Sequence, residues 1–221
     1  MDIFKLDDAI VEKSSSANSV IYRVTDLKQG VKNPNRVNVF INDKYEFSLD
    51  LTQVVDYKLK VGKVLSEEEL AELRRASEFG KLYQRTLEWV LTRPRSVRET
   101  KDYLNKKIFE KKLDAKYIDL IVERLIDKKY LDDRKFAEFY VENRFVKKGV
   151  SQKRLRIELM KKGVDKEIIE EVLGGRNDEE EIRKIVKKKR AKYDDEKLIA
   201  YLCRQGFSYD LVKSVVAESS D

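Results

Sequence analysis

Three places in the chain obey one spacing rule, and that rule restricts the fold more than any other feature of its 221 residues. Ser96, Ser151 and Asp194 are each followed eight residues later by a leucine (Leu104, Leu159, Leu202), and Gly163 and Gly206 each follow their leucine by four. A short side-chain oxygen accepts the unpaired N–H groups that open a helix, and glycine takes the left-handed backbone that closes one. Asp165 and Ser208 then stand where they would cap a closing helix, marked by Ile168/Val172 and Leu211/Val215. The first unit has its own version, Asp114 with Tyr117 and Ile121. It carries four extra residues around Ile108–Lys112 that are expected to lengthen its loop, and Thr100 where the second unit has Leu155. A further apolar helix precedes each unit, at Leu82–Leu91, Phe136–Phe145 and Ile182–Lys189. The chain is therefore mainly α. It reads as three tandem three-helix repeats (67–131, 132–175 and 176–221), each too small to stand alone, stacked into an elongated curved array.

The residues before Glu67 follow other rules. Ser14-Ser15-Ser16 and Asn18-Ser19 break any periodicity, so 1–19 is expected to be a flexible segment. From Val20 to Leu65 the apolar period drops to two, which predicts a small β-rich domain over 20–66. Val37, Val39 and Ile41 alternate on one strand, and Tyr45, Phe47 and Leu49 on the next. For both sets to share a face, Ile41 must oppose Tyr45, leaving Asn42-Asp43-Lys44 as a three-residue loop. Asp50 is placed to cap a short helix through Val54 and Val55, and Lys63–Leu65 to add an edge strand. Ser66 with Glu69 forms a capping box at the start of the helical region.

Charge singles out the middle repeat. From Arg134 to Lys162 ten basic residues face three acids, a net +7 equal to the formal charge of the whole chain. With so few local acids to pair with, Arg134, Arg144, Lys147, Lys148, Lys153, Arg154, Arg156, Lys161 and Lys162 are expected to form an exposed binding face. Arg93, Arg95 and Arg98 would extend it. A later run, Arg183 to Lys192, follows Asp178–Glu181 and reads as a solvated face with i, i+4 pairing.

The residues of this region resemble the RecX family, regulators of the RecA recombinase. The likeness rests on Tyr130-Leu131-Asp132-Asp133, Phe136-Ala137, Tyr140-Val141 and Arg144. It continues through Gly149, Ser151, Arg154-Leu155, Glu158-Leu159 and Lys162-Gly163-Val164, and Arg93-Pro94-Arg95-Ser96 is similar to the family's opening signature. The resemblance implies binding to RecA and to the RecA filament on single-stranded DNA. It also implies inhibition of recombinase, ATPase and co-protease activities in DNA repair and the SOS response. Weak non-specific DNA binding, a monomeric state and a cytoplasmic setting complete the expectation.

Other chemistries find little support. Asp132 and Asp133 precede a helix with no third ligand nearby, and one or the other reads as its cap rather than the pair as metal ligands. Cys203 has no histidine anywhere in the chain to activate it, which argues against a Cys–His nucleophile and for a small packing residue. Trp89 beside Val90 and Leu91 reads as packing, with base stacking the alternative. No Walker or dinucleotide glycine pattern is present, no apolar run approaches membrane-spanning length, and neither an enzyme nor a cofactor is expected. A helix-turn-helix regulator reading duplex sequence remains the alternative, since a basic helix in a three-helix unit suits a major groove.

Overall fold

A computed structural model describes residues 21–31 and 33–219, with side chains omitted at 145–148. The segment expected to be flexible, 1–19, lies outside the described residues. The chain divides into two compact units, 1–80 and 81–221.

The first unit holds an antiparallel sheet of β1 (Tyr22–Gln29), β2 (Arg36–Ile41), β3 (Lys44–Asp50) and β4 (Val64–Leu65), in the order β3-β2-β1-β4. Helix α1 (Leu51–Asp56) follows β3 and is capped by Asp50, as its sequence predicts, with Gln53 completing a capping box. β4 is the expected edge strand. Val24, Val39, Ile41, Phe47, Leu49 and Leu65 form a core closed by Leu70 and Leu73 of α2 (Glu67–Leu91). Ser77 on α2 donates to the Ser48 carbonyl at 2.7 Å, pinning helix to sheet. The Ser66–Glu69 capping box forms at 2.9 and 3.1 Å.

The β2–β3 hairpin corrects the expected loop. Ile41 pairs with Lys44 across a two-residue turn, and Asn42 and Asp43 both have positive φ (49° and 64°). Two such residues match the right-handed twist of the strands. Face parity is restored by a register shift after Phe40↔Tyr45, so that Val39 pairs with Phe47 and Glu46 is the extra residue. Phe47 and Leu49 are buried, whereas Tyr45 stays 53% exposed.

The second unit takes in the rest of α2 and eight further helices: α3 (Val97–Lys111), α4 (Tyr117–Asp127), α5 (Asp133–Lys148), α6 (Gln152–Lys161), α7 (Lys166–Leu173), α8 (Asp178–Lys189), α9 (Asp195–Arg204) and α10 (Tyr209–Glu218). They form three consecutive three-helix groups: α2–α4, α5–α7 and α8–α10. The repeated leucines Leu104, Leu159 and Leu202 are each fully buried. Ser96, Ser151 and Asp194 cap α3, α6 and α9 through side-chain bonds to the backbone N–H three residues on, and Gly163 and Gly206 have φ of +78° and +92°.

Two details differ from the sequence pattern. The extra residues around Ile108–Lys112 lengthen α3 by another turn rather than a loop. Ile108 continues the buried stripe, and Lys112 itself takes the left-handed closing position. Asp165 and Ser208 occupy the N-cap positions of α7 and α10 with extended backbone but make no side-chain capping bond, and Asp114 caps a turn through Lys116 N–H at 3.0 Å before α4 begins. Thr100 is buried at the position that Leu155 fills in the second unit, and its hydroxyl donates back to the Ser96 carbonyl at 3.0 Å.

Candidate functional site

Two glutamates each gather two of the basic side chains that the sequence groups together. Glu158 on α6 is the first. Both Arg144 of α5 and Arg154, four residues before it, bond its carboxylate, and the Tyr140 hydroxyl donates at 3.0 Å. Burial alone would raise the Glu158 pKa; the bonds from Arg144, Arg154 and Tyr140 outweigh it and hold the carboxyl at about 2. Glu99 on α3 is the second. It receives Lys162 at 2.7 Å and Arg93 at 3.2 Å, and these again overcome burial to keep its pKa below the usual range.

The acids that satisfy the cluster come largely from outside the Arg134–Lys162 stretch. Arg134 pairs with Glu171, and Arg156 grips Glu170 with two bonds at 2.7 and 2.8 Å, both acids on α7. The expectation of too few acids is thus corrected. Arg93, Arg134, Arg144, Arg154, Arg156 and Lys162 are all paired within the chain. Arg98, Lys153 and Lys161 are exposed with no acid partner among the described residues. Lys147 and Lys148 fall among the side chains that are not described. Arg95 lies with its guanidinium 3.9 Å from the Trp89 ring centre, and Trp89 stacks on Tyr103 at 4.4 Å. Packing is thus what occupies Trp89. In the later run, Arg183 pairs with Glu179 four residues earlier, as expected of a solvated face, and with Glu218.

What sequence reasoning missed is that the three groups are joined by a repeated set of bonds. At the first joint the Ser96 hydroxyl donates to the Lys162 carbonyl at 2.8 Å, and Val97 N–H donates to the Asp133 carboxylate at 2.9 Å. At the second, Ser151 N–H donates to the Gln205 carbonyl at 3.2 Å and Gln152 N–H to the Asp178 carboxylate at 2.9 Å. Each joint thus brings the capping serine of one group against the end of the middle helix in the next, beside the left-handed glycine. A Cβ on Gly163 would stand 2.8 Å from the Arg98 Cβ, and one on Gly206 would stand 2.7 Å from the Ser151 Oγ. The recurring signal was an aspartate opening α5 and α8. Asp132, not Asp133, caps α5, accepting Arg134 and Lys135 N–H at 3.0 and 3.1 Å, which leaves Asp133 for the joint. Among the described residues no cluster of potential metal ligands occurs, and no helix is long and apolar enough to cross a membrane.

Comparison with known proteins agrees with this architecture. Residues 132–173 match the family model described as RecX, second three-helix domain, and residues 22–66 match that of the Regulatory protein RecX N-terminal domain. Regulatory protein RecX of Listeria monocytogenes serotype 4a (strain HCC23) is 31% identical over 208 residues, covering 90% of this chain and 76% of its own. The Bacillus subtilis (strain 168) protein of the same description is 33% identical over 203 residues, 87% of this chain and 75% of its own. A crystal structure of regulatory protein RecX shares the fold, with a TM-score of 0.67 at 20% identity over 88% of this chain and 98% of that one. RecX from Lactobacillus salivarius superposes with a TM-score of 0.53 at 26% identity, over 65% of this chain and 97% of its own.

Proposed function

Because the chain belongs to the RecX family of regulatory proteins, we propose that it binds RecA and the RecA filament on single-stranded DNA, and that it restrains recombinase, ATPase and co-protease activity. The observation that carries this reading is the fixed presentation of cations along consecutive three-helix groups. Glu99 and Glu158 hold Arg93, Lys162, Arg144 and Arg154 in set directions, while Arg98, Lys153 and Lys161 project beside them toward solvent. A surface prepared in this way loses little side-chain entropy when it meets an anionic partner.

The mechanism is occupancy. A chain of such groups lying against several RecA protomers obstructs entry of a duplex and growth of the filament by sterics and charge, and no bond in the partner is made or broken. Lys153, Lys161 and Arg98 are the residues to reverse, because Arg154 and Arg156 already serve Glu158, the Arg204 carbonyl and Glu170. Anisotropy of labelled RecA–single-stranded DNA filaments tests the proposal. Saturable binding that the triple change to glutamate weakens at least tenfold, with an unchanged thermal midpoint, is expected. Absence of binding by the folded protein, or selection of one duplex sequence instead, would overturn it.

A further inference from the structure

The Arg93-Pro94-Arg95 lead-in to α3 forms one side of a cleft that the ion pairs above leave open. Val90, Leu91, Pro94 and Tyr130 give it an apolar wall, and Arg93, Arg95, Lys129 and Lys135 bring positive charge to it. Asp132, the single acid lining the cleft, is occupied in capping α5 through two backbone N–H groups. Of the four cations, Arg93 alone has a carboxylate partner among the described residues.

Arg95 is held without neutralisation. Its guanidinium rests on Trp89, which rests on Tyr103, and one amine donates to the Thr92 hydroxyl at 3.2 Å. Its Nε is buried with no hydrogen-bond partner among the described residues. An arginine fixed by aromatic stacking is held in place while its charge stays available to a ligand. Beside it Lys129 adopts a left-handed backbone (φ +61°), an uncommon conformation for a residue other than glycine. Leu91 and Tyr130 remain 62% and 43% exposed at the mouth.

We infer that this cleft is a subsite for one nucleotide of a single-stranded nucleic acid, with its phosphodiester against Arg95, Lys129 and Lys135 and its base on Tyr130 and the apolar wall. The size favours one unit of a polymer. At about 230 Å³ the cleft lies below the roughly 300–1,000 Å³ of sites that enclose whole small molecules. Single strands present a flat base next to an anion at every unit, whereas a duplex hides its base faces. An acidic peptide would satisfy the cations but offers no such regular pairing of a planar group with a charge. The inference deepens the filament reading and rests on it for its biological setting, but the binding itself needs no RecA.

The test is fluorescence anisotropy of a labelled oligothymidylate with the full chain, without RecA, across a salt series. K129Q/K135Q is expected to weaken binding at least tenfold and to flatten the logarithmic salt dependence by about 1.4, the value for two lost phosphate contacts on a single strand. Y130A is expected to weaken it roughly 5- to 150-fold, the range for one base–aromatic stack, and Y130F to restore it. A thermal midpoint for each variant separates binding loss from unfolding. Undiminished oligonucleotide binding in the folded variants overturns the inference. So does preference for an acidic glutamate–phenylalanine peptide that these variants abolish. Filament binding measured in parallel keeps the two readings apart: filament binding that persists while the oligonucleotide result fails removes the subsite only, and loss of filament binding by the unaltered protein removes the functional proposal.

Discussion

The two joints of the helical unit follow one backbone pattern with different side-chain chemistry. At the first, the serine, aspartate and glycine contacts are reinforced by charge: Glu99 on α3 holds Lys162 from the neighbouring group and Arg93 from its own. Burial pushes the Asp133 carboxyl up despite the Val97 N–H bond. At the second, side chains reach backbone carbonyls rather than an opposite charge. Gln152 donates from its side chain to the Arg176 carbonyl at 2.6 Å, and Arg154 donates to the Arg204 carbonyl at 2.8 Å. Two residues before the capping serine the first joint has Pro94 and the second has Gly149, whose backbone fits against Ile185 and Glu181 of α8. Backbone and cap contacts thus set the geometry of stacking, while the charges on top of it are free to differ. The first joint, with its Lys162–Glu99 ion pair, is therefore the one that salt should tune.

The largest expected effect comes from the second joint. Gly149→Ala would place a Cβ 2.5 Å from Ile185 Cδ1 at a φ of +56°. Strain and overpacking together predict a loss of about 2–4 kcal/mol in denaturant unfolding. A cost near zero would mean that α8 does not seat on this turn.

Next is Glu158, which holds the basic face of the middle group and, through Arg154, touches the second joint. Glu158→Gln leaves Arg144 and Arg154 without their shared carboxylate and should cost about 2 kcal/mol, reduced from fully buried pairs because the site is partly open. Its folded pKa of about 2 lies below the ordinary 4.5. The carboxyl therefore contributes fully above pH 4.5, and its contribution fades as pH falls toward 2. Thermal midpoints between pH 5 and 2 should drop in the unaltered chain and flatten in E158Q.

At the first joint, Glu99→Gln should cost about 1 kcal/mol at low ionic strength and markedly less in concentrated salt. Equal salt sensitivity at the second joint, probed with Gln152→Ala, would break the distinction between the two. The smallest effect belongs to Asp133→Asn. The amide oxygen can still accept Val97 N–H and no charge is buried, so stability at neutral pH should change by no more than about 0.5 kcal/mol. The raised pKa of Asp133 means that its ionised form weakens the fold as pH rises through that value, a slope the asparagine variant should lack.

Much of this architecture could be read from the chain because its rules are local. Ser96 and Ser151 cap within four residues, Gly163 and Gly206 follow at a fixed distance, and Leu104, Leu159 and Leu202 fall on the buried stripe. What could not be read depends on distance. The bond from Val97 to Asp133 spans 36 residues, and the acids that meet Arg134 and Arg156 arrive from α7. The hairpin parity holds for Phe47 and Leu49 but not for Tyr45, which pairs with Phe40, because a bulge at Glu46 replaces the three-residue loop and spacing alone does not choose between them. Charge alone marks Arg95 in the sequence, whereas its place against Trp89 and Tyr103 follows from the folded contacts of α2 and α3.

The most direct test of the account is ATP hydrolysis by the cognate RecA on single-stranded DNA, titrated with this protein well below one molecule per RecA. Inhibition at such ratios, diminished by reversing Arg98, Lys153 and Lys161 but retained in Asp133→Asn, is the predicted result. Undisturbed hydrolysis in the presence of the folded chain would contradict it.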